Sequence, residues 1–194
     1  LDLSPSVDFG SQVKKRSVST EFITLLARLL TRHGNRVGAL FYGDSVDTVI
    51  PARSGRRHVL HILHSMLSRP ERSSSASTNL RDFLQTAFRV MQRRSLVFVI
   101  SDFISMPGWA EPLTHLAQRH EIVAVRLYDP LEMELPDLGL LVMRDAETGE
   151  QLFVDTHNRA FRKRFAAVAE RRERELRSAL RQAGVDALEL STND

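Results

Sequence analysis

Leu96-Val97-Phe98-Val99-Ile100-Ser101-Asp102 is the stretch on which the fold turns. Its first five residues are all apolar, so a strand made from them has no face to give to water and must be covered on both sides, as a central strand of a parallel sheet is. A second run of the same kind, Ile122 to Leu127, follows a segment with helical periodicity from Trp109 to Gln118. Strand, helix and strand in that order make a parallel crossover unit. An aspartate closes the first run, Asp102, and another stands just past the second, Asp129.

Upstream, Ser17 to His33 carries apolar residues at helical spacing and stops at Gly34-Asn35. Arg36 to Tyr42 and Val46 to Ile50 are β-rich runs around Gly43-Asp44-Ser45, which predicts a hairpin. Pro51 to Gly55 is expected as a loop, Arg56 to Leu67 as a helix, and the serine-rich Arg69 to Ser77 as irregular. Thr78 is expected to cap a helix from Asn79 to about Gln92. Downstream, Leu140 to Met143 and Gln151 to Val154 flank Ala146 to Glu150 as an inserted hairpin. Arg159 to Ala183 forms a charged helix with a stripe at Phe161, Phe165, Val168, Leu176 and Leu180, ended by Gly184 before a last strand, Ala187 to Leu190.

The whole reads as one α/β domain over residues 1–194, doubly wound, with a mostly parallel sheet, an antiparallel edge strand and a small β-hairpin insertion. Only Leu1 precedes Asp2, so the chain is expected to begin inside its first strand. There is no cysteine, which excludes disulfides, thiolate metal sites and a cysteine nucleophile. The longest unbroken apolar run, Leu96 to Ile100, is far short of the roughly 20 residues of a membrane span, and no leader pattern opens the chain. A cytoplasmic location is expected. A formal charge of +3, from 27 Lys and Arg against 24 Asp and Glu, is a weak field for nucleic acid.

Ligands of open parallel sheets bind beyond the carboxyl ends of the strands, where strand order reverses. Asp2, Asp102 and Asp129 stand at such ends. Asp2, Ser4 and Ser6 alternate around Pro5, so a carboxylate and two hydroxyls can converge as the strand breaks into a loop. Hard cations such as Mg2+ take oxygen ligands and keep several waters, a demand that hydroxyls and water-bridged carboxylates meet. Serine and aspartate are also common turn and cap residues, and the motif alone does not decide between the two uses.

Asp2, Ser4 and Ser6, then Thr78, then Asp102 resemble the metal-ion-dependent adhesion site of von Willebrand factor A domains. The stretches DLSPSVDFGS, RVGALFYGD, PARSGRRH, VFVISDF and DPLEMELPDLGLLVMRDAETGE resemble, across the whole chain, the bacterial family called domain of unknown function fifty-eight. Val7 stands where that family's loop is expected to carry methionine. The resemblance implies that Ser4, Ser6 and Thr78 bind the metal directly, Mg2+ or alternatively Mn2+ or Ca2+, while Asp2 and Asp102 hold its waters. It also implies a non-enzymatic role beside a MoxR-type AAA+ ATPase, with a carboxylate from the ATPase or its client completing the metal sphere.

Other groups have plainer uses. His58, His61 and His64 recur every third residue but diverge around the helix at about 100° per residue, and are read as ordinary helix residues. Arg53, Arg56 and Arg57 around Gly55 could grip a partner's carboxylate or a phosphate, or simply face solvent. Asp129 and Glu132 in the acidic loop could shape a partner surface or keep the loop soluble. The arginine-rich last helix pairs Glu170 with Arg174 and Glu173 with Arg177 at helix-stabilising spacing, which disfavours nucleic-acid binding. A metal-dependent phosphohydrolase using Asp2 is the enzymatic alternative, although no glycine-rich phosphate loop with its lysine is present. A structural domain with a degenerate site is the third reading.

Overall fold

A computed structural model describes residues 1–43, 46–69, 79–144 and 151–193. The expected turn at 44–45, the serine-rich stretch 70–77, Thr78 and the hairpin tip 145–150 lie outside them. In chain order the elements are α1 (Lys15–Arg32), β1 (Val37–Tyr42), β2 (Val46–Arg53), α2 (Arg56–Leu67), α3 (Leu80–Val90), β3 (Leu96–Ser101), α4 (Ala110–Arg119), β4 (Glu121–Tyr128), β5 (Leu140–Arg144), β6 (Gln151–Asp155), α5 (Arg159–Ala183) and β7 (Asp186–Ser191), with single 3-10 turns at Pro5–Asp8 and Pro130–Glu132.

The two apolar runs become β3 and β4, paired in parallel from Leu96 with Glu121 to Ser101 with Arg126, and β7 adds in parallel to β4. β1 and β2 form an antiparallel pair. Residues 1–3 lie between these two units. The Leu3 amide donates to Tyr42 O at 2.7 Å, the Tyr42 amide to Leu1 O at 3.0 Å, and the Asp2 amide to Ile100 O at 2.9 Å. A mixed α/β architecture results, with residues 1–3 bridging β1 and β3.

Both faces are covered, as the apolar runs require. Leu1, Leu3, Phe41, Ile100, Val125 and Leu127 pack against Ile62 and Met66 of α2, with Val18 and Phe22 of α1 at the margin. On the other face Val99, Ile122 and Ala124 pack against α3, α4 and α5 through Leu80, Phe83, Leu84, Leu113, Leu116, Leu176 and Leu180. The switch from Val99 to Ile100, and from Ala124 to Val125, is the alternation of a pleated strand.

Three local expectations are corrected. The cap of α3 is Asn79, whose side chain accepts from the Asp82 amide, rather than Thr78. β2 runs on through Pro51 to Arg53, because on a two-stranded edge the missing proline N–H costs no ladder bond on the open side. In α5 the inward stripe is Ala169, Glu173, Leu176 and Leu180, while Val168 is exposed. Glu173 turns inward to meet Arg126 of β4 at 2.6 Å, and its contact with Arg177 is the longer one at 3.7 Å. The ends of α5 follow local chemistry: Asn158 accepts from the Ala160 and Phe161 amides, and Gly184 closes the helix at φ 66°.

Candidate metal centre

Asp2, Ser4, Ser6 and Asp102 converge at the carboxyl edge of the sheet, and all four are buried. Asp2 is placed by the slot between β1 and β3. Pro5 then helps tip the chain into a 3-10 turn, which folds Ser6 back toward Ser4 until their hydroxyl oxygens are 3.1 Å apart. Val7, in the place expected of a methionine, is completely buried in the core beneath this turn. One Asp2 oxygen accepts the Ser4 amide at 2.9 Å and the other accepts the Ser101 hydroxyl at 2.6 Å.

Asp102 leaves β3 in a tight turn. Its Oδ1 accepts the Ile104 amide at 3.0 Å, and the Phe103 amide donates to Ser101 Oγ at 3.0 Å. Phe103 itself sits at φ 56°, a left-handed conformation costly for a residue with a bulky side chain. The turn keeps that conformation because its amides are held by Ser101 and Asp102 and the Phe103 ring is buried against Trp109.

Electrostatics set Asp2 apart from an ordinary buried acid. Burial pushes the Asp2 carboxyl above its usual range and the nearby Asp102 charge pushes it further, against the hydrogen bonds from Ser101 and Ser4. Lys15, the first residue of α1, adds a feature that sequence reasoning missed. Its ammonium is fully buried and donates to Asp102 Oδ2 at 2.8 Å and to Glu132 Oε1 at 2.7 Å. Burial works against its charge, but Asp102 and Glu132 outweigh that and hold the Lys15 ammonium above the usual lysine value. No local pattern singles it out: lysine is scarce, at three of the 27 basic residues, but Lys14 beside it is another of the three.

Asp129 and Glu132 are not the free acidic surface that was one reading of the loop. Asp129 is fully buried and accepts the Ser11 amide and hydroxyl at 2.7 and 2.9 Å, the Thr192 hydroxyl at 2.7 Å and the Leu131 amide at 2.9 Å. Burial pushes its carboxyl up, yet those donors outweigh burial and leave it below the usual carboxylate range. Glu132 bonds Lys15 with one oxygen and the Asp129 amide with the other. Arg53, Arg56 and Arg57 are exposed at the opposite end of the sheet, since Arg53 pairs with Val37 while Tyr42 pairs with Asp2. Five residues of strand put them about 17 Å from the site. Thr78 lies outside the described residues. His58 spends its ring nitrogen on Val37 O at 2.9 Å.

The chain belongs to the family described as "Protein of unknown function DUF58", whose model matches residues 1–175. An uncharacterised protein of Mycobacterium tuberculosis is 32% identical over 196 residues, covering 100% of this chain and 61% of the relative. An uncharacterised protein of Mycobacterium avium is 32% identical over 148 residues, 75% of this chain and 86% of that protein. The chain thus spans about three fifths of the length of the M. tuberculosis relative. The fold is shared with the conserved hypothetical protein BatB of Bacteroides thetaiotaomicron, at TM-score 0.63 and 16% identity over 98% of this chain and 87% of that one. It is also shared with an aerotolerance-related membrane protein of Bacteroides fragilis, at TM-score 0.65 and 14% identity over 98% and 89%.

Among the described residues no group of three or more His, Asp or Glu side chains is placed to hold a metal ion, and no helix is long and apolar enough to cross a membrane. Among the described residues, a cation at this edge would find hydroxyls and the Asp2–Asp102 pair, with water completing its sphere. That donor set is all oxygen, which fits a hard divalent ion. Two buried carboxylates that repel one another are also better accommodated beside a cation than without one.

Proposed function

We propose that this chain is a divalent-metal-dependent protein-binding module of the von Willebrand factor A type, with Ser4, Ser6 and Thr78 as direct ligands of Mg2+. The observation that carries the reading is the burial, at one sheet edge, of two mutually repelling aspartates and two hydroxyls drawn from segments about a hundred residues apart. A bound ion here would supply an electrophilic centre only partly neutralised by the protein, suited to a carboxylate from a partner. Asp2 orients the Ser4 amide and the Ser101 hydroxyl, and Asp102 is fixed by its own turn, so this chain's residues present a preformed edge. The same family resemblance supports a MoxR-type AAA+ ATPase, or its client, as the partner. One solved neighbour is described as a membrane protein, and we place this domain on the cytoplasmic side of its parent protein, where an ATP-driven partner would meet it.

Affinity capture from the source organism's lysate in Mg2+ and in EDTA tests this, with wild type beside a Ser4→Ala/Ser6→Ala variant. The expected result is a partner retained by wild type in Mg2+ and lost by wild type in EDTA and by the variant in either buffer. Equal retention in all of them sinks the metal-dependent reading and leaves a scaffold.

A further inference from the structure

Lys15 is the feature the metal reading leaves unused. Its side chain is completely buried and spans two carboxylates from different parts of the fold, Asp102 after β3 and Glu132 after β4. A buried ammonium is costly, and an apolar residue of similar length commonly supports a fold as well or better. Its position is specific to the site: of its two partners, one is an aspartate that would hold the metal's water, and the other is still 17% exposed.

Building on the metal reading above, we infer that Lys15 is a built-in competitor of the divalent ion. In the metal-free protein its ammonium neutralises Asp102, which holds the affinity for a divalent cation down. Glu132 makes the exchange possible, because Lys15 can relinquish Asp102 without being left buried and unpaired. Glu132 is itself held in place by accepting the Asp129 amide at 3.1 Å. With Lys15 present, a loaded site is formally neutral across Asp2, Asp102, Glu132, the lysine and the ion; without it, the same set keeps one negative charge. The lysine therefore sets how much free metal is needed to load the edge and prevents an excess negative charge there from repelling an acidic partner.

The test is titration of Mn2+ into the full chain, followed by paramagnetic resonance, for wild type, Lys15→Gln, Glu132→Gln and Ser4→Ala/Ser6→Ala. Removing a positive charge beside the ion tightens binding, by about tenfold or more at such range. Lys15→Gln is therefore expected to bind one Mn2+ at least tenfold tighter than wild type, and Glu132→Gln several-fold weaker. A site seen in Lys15→Gln but not in wild type supports the inference equally. If wild type binds one ion that the double serine variant loses, while Lys15→Gln binds no tighter or more weakly, the metal reading stands and the competitor role is overturned. If neither wild type nor Lys15→Gln binds, the metal reading itself fails and takes the inference with it. Should Lys15→Gln be unfolded in metal-free buffer, its recovery in millimolar Mn2+ supports the exchange; failure to recover marks Lys15 as scaffold.

Discussion

Asp2 and Asp129 stand at the same edge of the sheet and are equally buried, yet their carboxyls are displaced in opposite directions. Burial pushes both up. Asp129 is brought below the usual range by four donors, including the Ser11 and Thr192 hydroxyls, and it knots the loop after the first turn to the last residues of the sheet. Asp2 has the Ser4 amide and the Ser101 hydroxyl but faces a second carboxylate, and it remains high. The difference separates an acid that holds the fold together from one that the fold tolerates at a cost, and such a cost points to use rather than support.

Replacing the knot should do the most damage. Asp129→Ala strands four donors, and urea unfolding is expected to show a loss of about 4 kcal/mol; a loss under about 1 kcal/mol would erase the contrast. The pH response follows from the same carboxyl. Its folded value lies below the ordinary 3.8, so its stabilisation is whole above that value and drains away as pH falls through the lower, folded one. Asp129→Asn should therefore show a flatter loss of stability than wild type in acid unfolding.

The edge at Asp2, Ser4 and Ser6 should respond more mildly. Ser4→Ala/Ser6→Ala gives up one hydroxyl pair and is expected to cost no more than about 1.5 kcal/mol in metal-free buffer. Asp2→Asn sharpens the comparison furthest: relieved of repulsion from Asp102, it should melt no lower than wild type without metal. A marked fall in its melting temperature would put Asp2 in the same class as Asp129.

Much of this was legible from local pattern. The double-sided apolar runs gave β3 and β4, and the helical spacing gave α2 and α5 with their ends, because burial demands and caps are written in neighbouring residues. Asp2, Ser4, Ser6 and Asp102 could be grouped from strand ends and resemblance. The use of Lys15 could not, since a lysine at a helix start ordinarily faces water and only the approach of the loop after β4 brings Glu132 to it. Glu173 was half legible for a similar reason: its i,i+4 pairing with Arg177 is present at 3.7 Å, whereas the burial of Glu173 and its shorter bond to Arg126 depend on a strand 47 residues away. Asp129 looked like surface because Ser11 and Thr192 meet it only in three dimensions.

The three-residue slot at Leu1–Leu3 has a kinetic meaning as well. The β1–β2 hairpin and the β3–β4–β7 sheet each rest on their own ladders, but the bond from Asp2 to Ile100 closes a loop of about a hundred residues, the kind of contact that forms late. Asp2 and Asp102 are therefore expected to come side by side only after both units have docked on residues 1–3. A partner recognising this edge, as proposed above, would distinguish finished molecules from half-assembled ones, and the amide of Asp2 is where hydrogen exchange would register that docking.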